Sequence, residues 1–144
     1  LIYISTDCVY EGIDGNYSEL EGMKPFNNYG WSKLGGECSV MLYSNSLILR
    51  LGMLTNPFPH KKALADMKKS LLFDDEISKI ILLLIDELGI INIGGEAQSV
   101  YEFVSKTQPD IEKIYLKDIH DVHMPKNSTM NIKKMKNILK RVSN

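Results

Sequence analysis

The chain has 144 residues, 44% hydrophobic and 24% charged, with a formal net charge of −1. That length supports one domain with a sizeable core, and the near-neutral charge removes the electrostatic case for nucleic acid or an anionic membrane surface. The longest aliphatic run, Ile80 to Ile85, covers six residues, against the roughly 20 that a membrane-spanning helix needs.

Leu1-Ile2-Tyr3-Ile4-Ser5 reads as a buried strand, with Thr6-Asp7 at its end. Residues 8–27 form a loop rich in Gly, Asp, Asn and Pro, longer than the ~12–15 residues beyond which connections are often functional. Asn27 or Asn28 caps a helix over 28–44, and Leu47-Ile48-Leu49-Arg50-Leu51 is the next buried strand. Asn56-Pro57-Phe58-Pro59 breaks regular structure, since each proline removes a donor and restrains its predecessor.

Leu71-Leu72-Phe73 is a short strand. Asp74 or Asp75 then caps a helix running to Leu88, whose apolar stripe is Ile77, Ile80, Ile81, Leu84 and Ile85. Ile90 to Ile93 is a strand closed by a Gly94-Gly95 turn. Ser99 caps a short helix with Val100, Phe103 and Val104 facing a core, and Glu102 at N3 completes a capping box. Glu112 to Leu116 is a strand, and Asn131 to Lys140 a basic final helix with a solvated Lys-rich face. Met67, Met124 and Met130 read as core or gap-filling residues.

Tyr29 and Lys33 stand at i and i+4 of the first helix and so share a face. A cation beside a phenol favours phenolate and draws the tyrosine pKa down from about 10. Such a tyrosine can protonate a carbonyl oxygen as hydride reaches its carbon, and Thr6 can offer a second hydroxyl to that oxygen. The spacing alone is weak: with seven Tyr in the chain, chance gives about 0.7 such pairs, so a surface tyrosine near a lysine is the competing reading. Arg50 either reaches a phosphate or forms a structural ion pair. His120-Asp121-x-His123 lacks a third, separated ligand, and no metal is expected. Cys8 and Cys38 lack metal-site spacing and read as reduced thiols, which makes the cytoplasm the expected compartment.

Ile4-Ser5-Thr6-Asp7-Cys8-Val9-Tyr10-Glu11-Gly12, Tyr17-Ser18-Glu19, Tyr29-Gly30-Trp31-Ser32-Lys33-Leu34-Gly35-Gly36-Glu37, Ile48-Leu49-Arg50, Met124-Pro125-Lys126-Asn127-Ser128 and Met130-Asn131 occur in that order. Together they resemble the dTDP-4-dehydrorhamnose reductase family of extended short-chain dehydrogenases/reductases. The resemblance implies an α/β fold: the C-terminal part of a Rossmann-type doubly wound parallel sheet, with its catalytic helix, over residues 1–89. Residues 90–144 would be mainly a small substrate-binding α/β lobe.

It further implies reduction of a 4-keto nucleotide sugar with NADPH or NADH. Tyr29 would be the proton donor, Lys33 the residue that tunes it and holds the nicotinamide ribose, and Thr6 the group polarising the carbonyl. Asp7 would either bond a sugar hydroxyl or cap its own turn. Many family members carry a substrate-packing aromatic after the Ile48-Leu49-Arg50 strand. Here Leu51-Gly52-Met53 takes its place, so Met53 becomes the substrate contact.

No G-x-x-G-x-x-G or G-x-G-x-x-G occurs, although a nucleotide-binding fold needs such a turn at its first strand. The chain therefore reads as a fragment whose expected partners are the N-terminal half of the same fold, a nucleotide-sugar substrate and possibly a second copy in a homodimer. By itself it is expected to be inactive. The alternative is a non-catalytic regulatory or sugar-nucleotide-binding module, as in the beta subunit of methionine adenosyltransferase.

Overall fold

The computed structural model describes residues 1–120 and 122–142. In chain order its elements are β1 (Ile2–Thr6), α1 (Asn28–Met41), β2 (Leu47–Leu51), β3 (Met53–Leu54), β4 (Lys62–Leu64), β5 (Lys68–Ser70), β6 (Leu72–Phe73), α2 (Asp74–Leu84), β7 (Gly89–Ile93), β8 (Ala97–Ser99), α3 (Val100–Val104), β9 (Glu112–Ile114) and α4 (Lys133–Val142). Short 3-10 turns lie at Asp7–Val9 and Leu116–Asp118.

β1, β2 and β7 form a parallel sheet in that order, with Ile4 opposite Leu49 and Leu49 opposite Ile91. Every residue of β2 is buried, as a near-continuous aliphatic run predicts for a strand covered on both faces. α1 connects β1 to β2, and α2 precedes β7. β1 and β7 are the two edge strands of this sheet, and Ile2 and Ile4 of β1 are exposed, so β1 is not the fully buried strand its apolar run predicts. Three further two-stranded pairings stand outside that sheet: β3–β6 and β4–β9, both parallel, and β5–β8, antiparallel.

Two apolar clusters result. One joins Val9, Tyr10, Leu47, Leu49, Leu51, Ile77, Leu84, Ile91 and Ile93 with Met130, Met135 and Ile138 from the C-terminal segment. The other joins Ala63, Leu64, Met67, Leu71 and Phe73 with Val100, Phe103, Val104 and Ile111. Each cluster therefore draws residues from both sides of position 89.

Several boundaries differ from the sequence expectation. α1 ends at Met41, where Tyr43 N bonds back to Val40 O and the following Ser-Asn-Ser run competes for backbone groups. α2 ends at Leu84 rather than Leu88, and Gly89, at φ +82°, turns the chain into β7. Its cap is neither aspartate: Phe73 occupies the N-cap position, and the Glu76 carboxylate accepts from Phe73 N at 3.2 Å. Asp74, Asp75 and Glu76 still place negative charge at the positive end of the helix. Ile85 lies exposed beyond the apolar stripe. β9 stops at Ile114, and α4 covers 133–142, with Asn131 Oδ1 accepting from Lys133 N at 3.1 Å. The Ser99–Glu102 capping box forms as expected, with bonds of 2.8 and 3.1 Å.

Candidate active site

The three parallel strands end together at Thr6, Leu51 and Ile93, the end at which open α/β sheets bind ligands. At the end of β1, Thr6 Oγ1 accepts from Cys8 N and donates to Asp7 Oδ1, both at 3.2 Å. These bonds close the 3-10 turn. The second is long for an O–H···O contact, so the hydroxyl proton is free to be re-aimed.

α1 comes down directly onto this turn. Asn27 Oδ1 accepts from Gly30 N at 2.7 Å and caps the helix. A Cβ at Gly30 would collide with the Cys8 carbonyl oxygen and lie 2.9 Å from Pro25 Cβ. Only a glycine lets the helix sit this close, so the first turn of α1, which holds Tyr29, rests on the turn that follows Thr6. Tyr29 is 55% exposed, so its phenol is open to a ligand. Lys33, one helical turn on, places its ammonium over the Tyr3 ring, 4.6 Å from the centroid, while the Tyr3 hydroxyl donates to Lys33 O.

Asp7 is buried and its carboxylate is fully used by protein donors. Oδ1 accepts from Thr6 and from the Cys8 thiol, and Oδ2 accepts from Ser128 Oγ at 2.9 Å and from Lys69 Nζ at 2.8 Å. Burial pulls the Lys69 ammonium down, but the adjacent Asp7 carboxylate outweighs it and leaves Lys69 above the ordinary lysine value. Burial, followed by the Asp7 charge, pushes the Cys8 thiol up, so it stays protonated.

Neither Lys69 nor Ser128 emerged as a site residue from the sequence. They arrive together because residues 126–128 pair with Lys68. Lys68 N bonds to Lys126 O, and Ser128 N bonds to Lys68 O. The same C-terminal segment is laced to the long loop through Asn127 N to Gly12 O and Tyr17 N to Thr129 O. The Met-Pro-Lys-Asn-Ser run was visible as a motif, but its role in delivering a hydroxyl to Asp7 was not.

Beneath the site, Arg50 forms a structural ion pair. Its Nη2 lies 2.7 Å from Glu37 Oε2, its Nε bonds Oε1 at 3.0 Å, and its Nη1 donates to the Tyr10 hydroxyl at 2.8 Å. Tyr10 passes the chain to Asn92 Oδ1 at 2.8 Å and stacks on Tyr17.

A cavity of about 590 Å³ has Lys69, the ion-pair partner of Asp7, in its lining. Leu54, Phe58, Leu64, Met67, Val100 and Ile114 give it an apolar interior, and His60, Lys61, Lys62 and Lys69 are its polar lining. Met53 is not in that lining. It is 47% exposed on β3, and its neighbour Leu54 faces the cavity. Gly94 and Gly95 cradle no ligand, because the Ser70 and Leu71 carbonyls already fill the space beside them. Gly35 and Gly36 lie inside α1. Among the described residues no group of three His, Cys, Asp or Glu is placed to hold a metal, and none of the helices is long and apolar enough to cross a membrane. His123 packs edge-on against Phe26, and Asp121 lies outside the described residues.

The fold has counterparts among known proteins. The structure superposes on a hypothetical dTDP-4-dehydrorhamnose reductase from Sulfolobus tokodaii with a TM-score of 0.81 and 28% identity, covering 95% of this chain and 57% of that one. It also superposes on the dTDP-4-dehydrorhamnose reductase of Bacillus anthracis, solved in complex with NADP, with a TM-score of 0.80 and 22% identity, covering 95% and 58%. The chain thus spans less than two thirds of the length of either protein. Methionine adenosyltransferase 2 subunit beta of Danio rerio is 42% identical over 55 residues, 38% of this chain and 17% of that protein. Residues 1–78, which carry the Thr6 turn, α1 and Lys69, match the RmlD substrate binding domain; the chain belongs to that family.

Proposed function

We propose that this chain carries the proton-donating and substrate-binding part of an NAD(P)H-dependent reductase that acts on a 4-keto nucleotide sugar. The observation that carries this reading is the packing of Gly30 onto the Cys8 carbonyl, which seats the first turn of α1, with Tyr29, on the turn that follows Thr6; Lys69 joins that turn, through Asp7, to an apolar cavity with a cationic lining. An aromatic base suits the apolar interior, and Lys61 and Lys62 suit a diphosphate. That orientation leaves the sugar at the Thr6 end.

The chain's residues fit the nicotinamide end of the cofactor and not its pyrophosphate. Tyr29 is exposed and Lys33 partly exposed on α1, whereas the glycine pairs are packed or helical. When bound, the cofactor supplies the hydride. Tyr29 then gives its phenolic proton to the carbonyl oxygen, and Thr6 donates a hydrogen bond to the same oxygen. Lys33 leaves the Tyr3 ring to hold the ribose and favour the resulting phenolate. In the full-length protein, Tyr29→Phe should cut turnover by about 10²–10⁴-fold with cofactor binding nearly unchanged. Unaltered turnover would remove Tyr29 from the reaction.

One observation favours a second reading, a regulatory module without turnover: the 42% identity to the methionine adenosyltransferase subunit. NADPH binding with no oxidation across a panel of 4-keto nucleotide sugars would select it.

A further inference from the structure

We infer that Lys69 is a specificity-determining residue that touches the sugar of the bound nucleotide sugar, and that Asp7 and Ser128 hold it in place for that contact. The inference deepens the reading above and rests on it.

Lys69 belongs to two places at once. Its side chain lines the cavity, and its ammonium is paired at 2.8 Å with Asp7, the residue next to Thr6. The turn that carries Asp7 is also the one onto which Gly30, the neighbour of Tyr29, packs. Whatever part of a ligand reaches Thr6 and Tyr29 therefore passes Lys69. In a nucleotide sugar whose base occupies the apolar interior, that part is the sugar ring.

The donor arithmetic decides which member of the cluster meets the ligand. Both Asp7 oxygens already accept two protein donors, from Thr6 and Cys8 on one side and from Ser128 and Lys69 on the other. A carboxylate so occupied has little left for a sugar hydroxyl. The Lys69 ammonium has three donors, one of them turned to Asp7. The others are available to an oxygen acceptor in the cavity, which a sugar hydroxyl or carbonyl supplies. Because the Lys69 side chain is only 15% exposed, such a bond would form largely out of water, where it contributes most.

The anchoring is built from distant parts of the chain. β5 supplies Lys69, the turn after β1 supplies Asp7, and the 126–128 segment supplies Ser128 while pairing with Lys68. A free surface lysine would lose much side-chain entropy on meeting a ligand; this one is already fixed.

The test compares ligands with and without the sugar. Binding of dTDP, dTDP-glucose, UDP and UDP-glucose is measured by calorimetry for the wild type, Lys69→Met and the double variant Asp7→Asn/Lys69→Met. The double variant removes both charges, so neither is left buried and unpaired. The expected result is that the nucleotide sugar loses about 10- to 100-fold in affinity in both variants, the range for a hydrogen bond to a charged group, while the matching nucleoside diphosphate stays within about twofold. Should Lys69→Met fail to fold, the double variant alone decides. Equal losses for diphosphate and nucleotide sugar, or no loss for either, overturn the assignment while wild-type binding leaves the broader reading standing. Failure of the wild type to bind any of the four overturns that reading, and this inference with it.

Discussion

Glu37 and Arg50 meet in the interior with no solvent contact on either side chain, linked at 2.7 and 3.0 Å. The pair joins the middle of α1 to the central strand directly below the candidate site, and Tyr10 and Asn92 extend it to β7. Removing one member leaves a buried charge with no counter-charge, held by Tyr10 on the Arg50 side or Ser5 on the Glu37 side, which costs about 3–5 kcal/mol. Glu37→Gln and Arg50→Met should each lower denaturant stability by that order. The double variant should recover much of the loss, because no unpaired charge remains. Additive losses in the double-mutant cycle would show that the pair is not coupled.

The glycines of α1 offer a matched contrast. Gly30 sits against the Cys8 carbonyl and Pro25, whereas a Cβ at Gly35 would meet nothing within 4 Å. Gly30→Ala forces the helix off the Thr6 turn and should destabilise by about 1–3 kcal/mol. Gly35→Ala removes backbone freedom from the unfolded chain at a helix interior position and should stabilise by about 0.5–1 kcal/mol. Thermal unfolding of the two variants checks this. Shifts of the same sign would mean that the helix does not rest on the turn.

What the sequence disclosed depended on how local the cause was. β2 was legible to the residue because a run of aliphatics has one sensible burial, and α3 was legible because Ser99 and Glu102 stand at a fixed capping offset. The Tyr29–Lys33 spacing does fall on one helix, but Lys33 turns its ammonium to the Tyr3 ring, a contact that the spacing does not disclose. The cap of α2 was misread: Asp74 and Asp75 are good capping residues, but Glu76 reaching back to Phe73 N moves the helix start one residue earlier. Lys69 and Ser128 were invisible as site residues because Asp7 joins them across separations of 62 and 121 positions. No periodicity records a contact of that kind. Glu37 lay in plain view at the i+4 step after Lys33, but its complete burial follows from Arg50 below it.

The two cysteines should differ in reactivity. Cys38 is exposed on α1, whereas Cys8 is partly buried, with its thiol pushed up by burial and by Asp7. Because only the thiolate reacts, a maleimide at neutral pH should label Cys38 first and Cys8 more slowly, as read by peptide mass spectrometry. Asp7→Asn removes one cause of the shift and should speed labelling at Cys8. Faster labelling of Cys8 than Cys38 in the wild type would contradict the geometry of the turn.

The start of α3 gives a pH signature with a defined sign. The Glu102 carboxylate is held below its ordinary value, first by the Ser99 N–H it accepts and then by the Ser99 hydroxyl. A carboxyl group with a lower pKa folded than unfolded releases its proton more readily in the folded state. Its stabilising contribution is therefore complete above the unfolded carboxylate pKa and disappears as pH falls through the folded value. At pH 7, Glu102→Gln should melt below the wild type, and the gap should close as the solution is acidified below the ordinary glutamate range near 4.3. Ser99→Ala removes the other half of the box and should cost about 1 kcal/mol, because Ser99 Oγ caps Glu102 N at 3.1 Å from a buried position. An NMR titration of Glu102 that moved only part of the way up toward the ordinary glutamate value in Ser99→Ala, which keeps the backbone N–H and loses the hydroxyl, would tie the shift to the cap. A gap between wild type and Glu102→Gln that widened in acid would reverse the sign and refute the assignment.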